Sequence, residues 1–109
     1  MTSNKVFKAL ADPTRRRVLE LLREGSLTAG ELSAQFPVSK PTMSAHFAVL
    51  QEAGLIEAEK DGRAVFYRLK MSVLEDALLG FAEALGLESA SDGTARSKRA
   101  RRALRRKEA

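Results

Sequence analysis

The chain has one histidine, His46, and no cysteine, and the residue types that could do chemistry gather around that histidine in SKPTMSAH: Ser39, Lys40, Thr42, Ser44 and His46. Hydroxyls beside an imidazole are the raw material of acyl transfer. Here the serines lack an identifiable base with an orienting acid, and no Gly-rich phosphate loop is present, so catalysis is not expected. Without cysteine there is no disulfide, thiolate metal site or thiol redox switch. Glu75, Asp76 and Glu83 alone would be a poor transition-metal set and read as solvated or capping carboxylates. No cofactor or metal is expected.

The element that must position this cluster runs from Ser39 to Gly54. Ser39 serves as N-cap, Pro41 is tolerated in the first turn, and Gly54 supplies a left-handed stop. Met43, Phe47 and Leu50 recur at helical spacing and point inward, leaving Pro41, Ser44, Ala45, Ala48 and Glu52 outside. Small and polar groups on that side let something large approach closely. His46 lies near the edge of the apolar stripe and reads as a packed histidine that hydrogen-bonds locally or to a phosphate.

Before it, Thr28 and Glu31 form a capping-box pattern that opens a short helix, with Leu32 and Phe36 buried and Pro37 closing it. Only Val38 then separates this helix from Ser39, so the two must cross steeply as a helix-turn-helix. Nearer the N-terminus, Ser3 or Asn4 caps a first helix with Val6, Phe7 and Leu10 inward. Asp12 caps a second, with Pro13 at its first position, Val18, Leu19, Leu21 and Leu22 on its apolar side, and Gly25 at its end. Arg15, Arg16 and Arg17 fan around that helix. Arg16 lies one turn from Glu20, which favours salt bridging and solvation over a functional role.

After Gly54 the period changes. LIEAEKDGRAVFYRL reads as two strands around Asp61-Gly62, with Lys60 opposite Arg63, Ala58 opposite Val65 and Ile56 opposite Tyr67. Ile56, Ala58, Val65, Tyr67 and Leu69 then share a core face, and Glu57, Glu59, Phe66 and Arg68 a wet one. The tip presents Lys60 and Arg63 beside a glycine turn, which suits a phosphate or minor-groove contact. Ser72 with Glu75 suggests a second capping box, opening a last helix whose stripe of Val73, Leu74, Ala77, Leu78, Phe81 and Leu85 ends before Gly86. Such a helix closes the core, pairs with a second copy, or both.

Residues 1–87 carry 11 Lys or Arg and 11 Asp or Glu, whereas residues 88–109 carry 8 and 3, so the whole excess of +5 belongs to the end of the chain. The expected organisation is a folded domain over 1–87 and a basic, disordered tail over 88–109. No run approaches the ~18 apolar residues of a membrane span, and MTSNKVFKALAD lacks a signal-peptide core, so the expected compartment is the cytoplasm.

Four helices, a hairpin and a helix, in the order α-α-α-α-β-β-α, make a mainly α winged helix-turn-helix with a small β-hairpin. ADPTRRRVLELL, LTAGELSAQFPVSKPTMSAHFAVLQEAGLI and DGRAVFYRL resemble the ArsR-type bacterial transcriptional repressors over roughly residues 4–87, with DPTRRR, SKPTMSAH and EAGLI in the family's order and spacing. Within that family the length and lack of sensor residues are most similar to the metal-independent, SdpR-like autorepressor branch. The resemblance implies a homodimer joined through the first and last helices, here Phe7, Leu10, Leu74, Leu78, Phe81 and Leu85. Two recognition helices would enter successive major grooves of double-stranded DNA, with two wings flanking them.

On that basis Ser39, Lys40, Thr42, Ser44, Ala45 and His46 are the recognition-helix site, and Lys60, Gly62 and Arg63 the wing site. Lys40 and Thr42 reach a phosphate or a base edge, Ser44 donates to either, and Ala45 and Ala48 meet a thymine methyl. Many relatives carry two adjacent histidines where this chain has Ala45 and His46. Metal-sensing members use cysteines on the third helix or Asp and His pairs on the last; this chain has LTAGEL in the first place and no histidine in the second. The implied function is a sequence-specific, autoregulatory repressor released by a protein anti-repressor or by dilution, with no membrane surface as partner. Two other readings stay open: a sequence-indifferent DNA-coating protein driven by the basic tail, and a protein-interaction module on a winged-helix fold.

Overall fold

The computed structural model describes residues 2–87. Its elements are α1 (Thr2–Leu10), α2 (Pro13–Leu22), β1 (Leu27–Thr28), α3 (Ala29–Ser33), α4 (Lys40–Glu52), β2 (Ile56–Asp61), β3 (Ala64–Leu69) and α5 (Met71–Ala84). The chain divides into two compact units, residues 1–74 and those from Glu75 onward, so the boundary falls inside α5 after its first turn. The basic tail expected over 88–109 lies outside the described residues.

In the first unit, α1 already begins at Thr2, so Ser3 and Asn4 lie inside the helix and not at its N-cap position. Val6 and Ala9 are the buried residues of α1, while Phe7 and Leu10 are half-buried. Asp12 caps α2 as expected, its carboxylate accepting from the amides of Thr14 (2.8 Å) and Arg15 (3.2 Å), with Pro13 first in the helix. Val18, Leu19 and Leu22 are buried there, and Leu21 is half-buried.

The capping box of α3 forms in full: Thr28 Oγ1 accepts from the Glu31 amide, and the Glu31 carboxylate accepts from the Thr28 amide. The helix is shorter than its sequence pattern. It stops at Ser33, and Gln35 and Phe36 donate to Leu32 and Ser33 in tight three-residue turns. Pro37 disfavours helical backbone at Phe36, which leaves that ring half-buried outside the helix. Six residues, not one, therefore separate α3 from α4.

The C-terminal end of α4 is a complete Schellman motif, with the Gly54 amide on the Gln51 carbonyl and the Leu55 amide on the Leu50 carbonyl. Gly54 sits at φ +77, where a side chain is strained, and the motif carries Leu55 straight into the core.

The sheet has three antiparallel strands in the order β1-β3-β2, so the expected hairpin gains a strand. Leu27 and Thr28 pair with Tyr67 and Phe66. Two residues are too few to show alternation, and β1 exists only through the free edge of β3. The hairpin register also differs from expectation: Asp61 pairs with Ala64, Lys60 with Val65, Ala58 with Tyr67 and Ile56 with Leu69. The two loop residues are Gly62 and Arg63. With Gly62 at φ +64 in the first central position, no other residue has to adopt a left-handed backbone, whereas a loop of Asp61-Gly62 would impose it on an aspartate. The shift moves the pairing by two residues and preserves both faces. Ile56 and Tyr67 are buried, but Ala58 is exposed because the hairpin leaves the body toward its tip.

The core of this unit joins Val6, Val18, Leu32, Met43, Leu50 and Leu55, all at most 1% exposed, with Phe47 packed against Tyr67 at 4.7 Å between ring centroids. Each such aliphatic side chain contributes about 1.5–3 kcal/mol through burial.

The capping box expected at Ser72 is not formed, because α5 starts at Met71 and Ser72 is already inside it. Lys70, whose amide is held by the Leu55 carbonyl, accepts from the Val73 amide and begins the first turn. In the second unit, α5 closes as α4 does, with Gly86 and Leu87 donating to Glu83 and Ala82. Leu78, Phe81, Leu85 and Leu87 are exposed on this unit.

Burial acts to raise the Asp12 carboxyl, but the amides of Arg15 and Thr14, with the charges of His46 and Arg15, hold it below the usual aspartate range. Its charge therefore stabilises the fold above the unfolded-state value, and this contribution is lost as pH falls through the lower folded value. Asp12→Asn keeps a competent cap and removes the charge. Urea titrations of the two proteins should differ near pH 6 and converge as the pH drops below the ordinary aspartate range; a gap independent of pH would contradict this assignment.

Candidate nucleic-acid interface

α4 is built as expected from SKPTMSAH. Ser39 Oγ accepts from the Thr42 amide (3.3 Å) and donates to Thr42 Oγ1 (2.9 Å), so the cap fixes the first turn and one of the two hydroxyls at its surface. Thr42 keeps its own hydroxyl hydrogen for a further acceptor. Met43, Phe47 and Leu50 are buried. Ser39, Lys40, Pro41, Thr42, Ser44, Ala45 and Ala48 are exposed, which brings every expected recognition residue except His46 to the open surface of one helix.

His46 is half-buried, and its Nδ1 lies 3.1 Å from Nη1 of Arg15 on α2. Its hydrogen bond is therefore neither local nor to a phosphate, as the sequence pattern suggested, but crosses to another helix, because the packing of α2 against α4 brings Arg15 to it. Lys60, Gly62 and Arg63 are all exposed at the hairpin tip. Of the residues expected at a dimer contact, Phe7, Leu10 and Leu74 are half-buried, whereas Leu78, Phe81 and Leu85 are 47%, 52% and 61% exposed.

The arginine run does something the sequence pattern did not indicate. Arg15 Nε donates to the Ala9 carbonyl (2.8 Å) and Nη2 to the Lys8 carbonyl (3.0 Å), while Arg16 Nη1 donates to the Leu10 carbonyl (2.8 Å). Two arginines of α2 thereby satisfy the last carbonyls of α1, where a cation also suits the helix dipole. The local ion pair forms from Arg17 to Glu20 (3.9 Å) and not from Arg16. No spacing rule announces such contacts, since they depend on how α1 and α2 cross.

On the wet face of the hairpin, Glu57 Oε2 meets Arg68 (2.9 Å) and Lys70 (3.0 Å). Hydrogen bonds from Lys70 and then Arg68 hold this carboxyl below the usual glutamate range against the opposing effect of burial. Lys5 reaches Glu52 at 3.6 Å. Among the described residues Lys40, Lys60 and Arg63 enter no ion pair. Among the same residues no three His, Asp or Glu side chains gather where they could hold a metal ion, and no helix is long and apolar enough to cross a membrane.

Residues 10–59 match the helix-turn-helix domain family. The transcriptional repressor SdpR of Bacillus subtilis is 43% identical over 75 residues, which cover 69% of this chain and 83% of SdpR. The chain also superposes on a crystal structure of an ArsR family transcriptional regulator with a TM-score of 0.74 at 33% identity, covering 80% of this chain and 96% of that one. This chain belongs to the ArsR family. A third match is the solution structure of a homodimeric winged helix-turn-helix DNA-binding domain from Mycobacterium bovis, at a TM-score of 0.63 and 28% identity, covering 76% of this chain and 78% of that one. As an ArsR-family member the protein is a DNA-binding transcriptional repressor and not an enzyme.

The bare face of α4 depends on its first turn being held by Ser39. Ser39→Ala should destabilise the protein by about 1 kcal/mol, and Ser39→Asp should not. Denaturant midpoints measure both; equal midpoints for wild type and Ser39→Ala would show that the cap contributes nothing.

Proposed function

We propose that this ArsR-family protein acts as a homodimer on an inverted-repeat operator, placing one α4 in each of two major grooves about 34 Å apart. The observation that carries this reading is the exposed face of α4, where Lys40, Thr42, Ser44, Ala45 and Ala48 lie beside one another with nothing larger than a lysine among them. Lys40, Thr42 and Ser44 offer donors to phosphates or base edges, and the alanines suit a thymine methyl. Lys60 and Arg63, exposed at a tip turned by Gly62, serve the neighbouring backbone. The second copy docks on the apolar side of α5, where Leu78, Leu85 and Leu87 lie exposed. Residues 1–87 form the specific part, and residues 88–109, with 8 basic and 3 acidic side chains, add sequence-independent attraction to phosphate.

Release from the operator proceeds without a metal, through a protein partner or dilution. The lack of any cysteine in the chain supports this. The repressor acts on its own promoter. Footprinting on the DNA upstream of its gene, with and without added metals, should show protection of an inverted repeat that metals leave unchanged; metal-dependent loss of protection would refute metal independence.

Lys40→Ala combined with Thr42→Ala should cost about 1–3 kcal/mol for each lost contact and leave a dimer that no longer prefers operator over random DNA in competition. Retained preference would move the specificity away from α4. Leu78→Glu with Phe81→Glu should instead give monomers in sedimentation and weak operator binding, because one half-site makes too few contacts. A tight-binding monomer would overturn the dimer.

A further inference from the structure

The Arg15 side chain connects three helices. From α2 its Nε and Nη2 donate to the Ala9 and Lys8 carbonyls of α1, and its Nη1 reaches Nδ1 of His46 on α4. A guanidinium has five donors and no acceptor, so the nitrogen that faces it must offer a lone pair. That requirement selects one form of the histidine: neutral, with the proton on Nε2.

We propose that Arg15 is a positioning residue for operator binding, holding α4 through the neutral Nε2–H form of His46, so that protonating this histidine releases the helix and weakens specific binding. The claim rests on α4 being the operator-reading helix.

The surroundings of His46 determine the sign of the effect. From α2 it faces Arg15, and Asp12 at the α1–α2 junction is close enough for charge interaction. α1 contributes Lys5, which is engaged with Glu52 near the end of α4. Within one turn on its own helix His46 has Thr42, Met43, Val49 and Leu50, none of them charged. Protonation fills the Nδ1 lone pair and sets an imidazolium against a guanidinium. Asp12 offsets part of that repulsion, but the two amides of the helix cap, those of Thr14 and Arg15, both donate to its Oδ1, and it takes no hydrogen bond from the Arg15 guanidinium. Arg15 is also held by the Ala9 and Lys8 carbonyls of α1, so swinging away would break two further hydrogen bonds. The adjustment that breaks neither bond is at α4, whose exposed Lys40, Pro41, Thr42, Ser44 and Ala45 precede His46.

Because the chain contains one histidine, its ring can be followed without assignment ambiguity. In the full-length protein at pH 8, long-range proton–nitrogen NMR should show an unprotonated Nδ1 and a protonated Nε2, and Arg15→Met, which removes the donors, should erase that bias. Operator affinity in excess random DNA should fall about tenfold between pH 8 and pH 5.5, as expected for losing a charge-assisted hydrogen bond. Affinity for random DNA should change far less. His46→Asn places an acceptor oxygen where Nδ1 stood and has no ring nitrogen to protonate, so the ratio of its operator affinities at the two pH values should approach one, whatever its absolute affinity.

An Nδ1–H tautomer at pH 8, or a pH ratio that His46→Asn leaves unchanged, would overturn the proposal. If the wild-type protein prefers no operator at any pH, the assignment of α4 as reader fails, while the tautomer still decides the claim about Arg15. Circular dichroism of each variant separates loss of fold from loss of preference.

Discussion

The contact between Phe47 and Tyr67 sets the geometry on which the exposed face of α4 depends. Tyr67 lies on the central strand, paired to Leu27 on one side and Ala58 on the other, and its ring packs on Phe47 at 4.7 Å with an interplanar angle of 34°. Such a pair contributes about 0.5–1.5 kcal/mol beyond its buried area, and here it joins α4 to all three strands at once. Burial also raises the Tyr67 hydroxyl above its ordinary range. Met43 and Leu50 are buried along the same stripe, so packing turns this side of α4 inward. The face that carries Lys40, Thr42 and Ser44 is exposed because the opposite face is fixed.

Charge follows the same logic. Residues 1–87 carry equal numbers of basic and acidic side chains, so this part has no net attraction for a polyanion. Several cations are occupied internally: Arg15 and Arg16 on the carbonyls of α1, Arg17 on Glu20, Lys5 on Glu52, and Arg68 with Lys70 on Glu57. Lys40, Lys60 and Arg63 stay outside these pairs and lie on the α4 surface and at the wing tip. Local placement therefore decides where phosphate is attracted, and the 8 basic residues beyond position 87 supply bulk charge in the proposed division of roles.

Much of α4 was legible because its determinants are local. A serine cap, a proline in the first turn, apolar residues at 43, 47 and 50 and a glycine stop all act within one or two turns, and each is in place. The same holds for the Thr28 capping box and the Asp12 cap. Features set by distant partners were not legible. β1 needs the edge of β3, the start of α5 follows from the Leu55 carbonyl holding the Lys70 amide, and Arg15 finds its acceptors only once α1, α2 and α4 have crossed. The hairpin lies between these cases: its faces follow from alternation, which a shift of two preserves, while its register depended on Gly62 being the residue that tolerates the turn.

The two helices proposed to meet other molecules differ in how their sequence pattern relates to burial. On α4 every apolar position at helical spacing is covered, and the surface is left to small and polar groups worth little individually. On α5 the pattern and the burial disagree, since Leu78 and Leu85 belong to the apolar stripe and remain 47% and 61% exposed. Fully burying a leucine contributes about 1.5–3 kcal/mol, so covering these half-exposed ones with a second copy would contribute part of that each, on the scale of one base contact. The two surfaces thus suit different tasks. In the proposed dimer an apolar face would hold two copies together with little regard to sequence, and the pairing would double the reading surface.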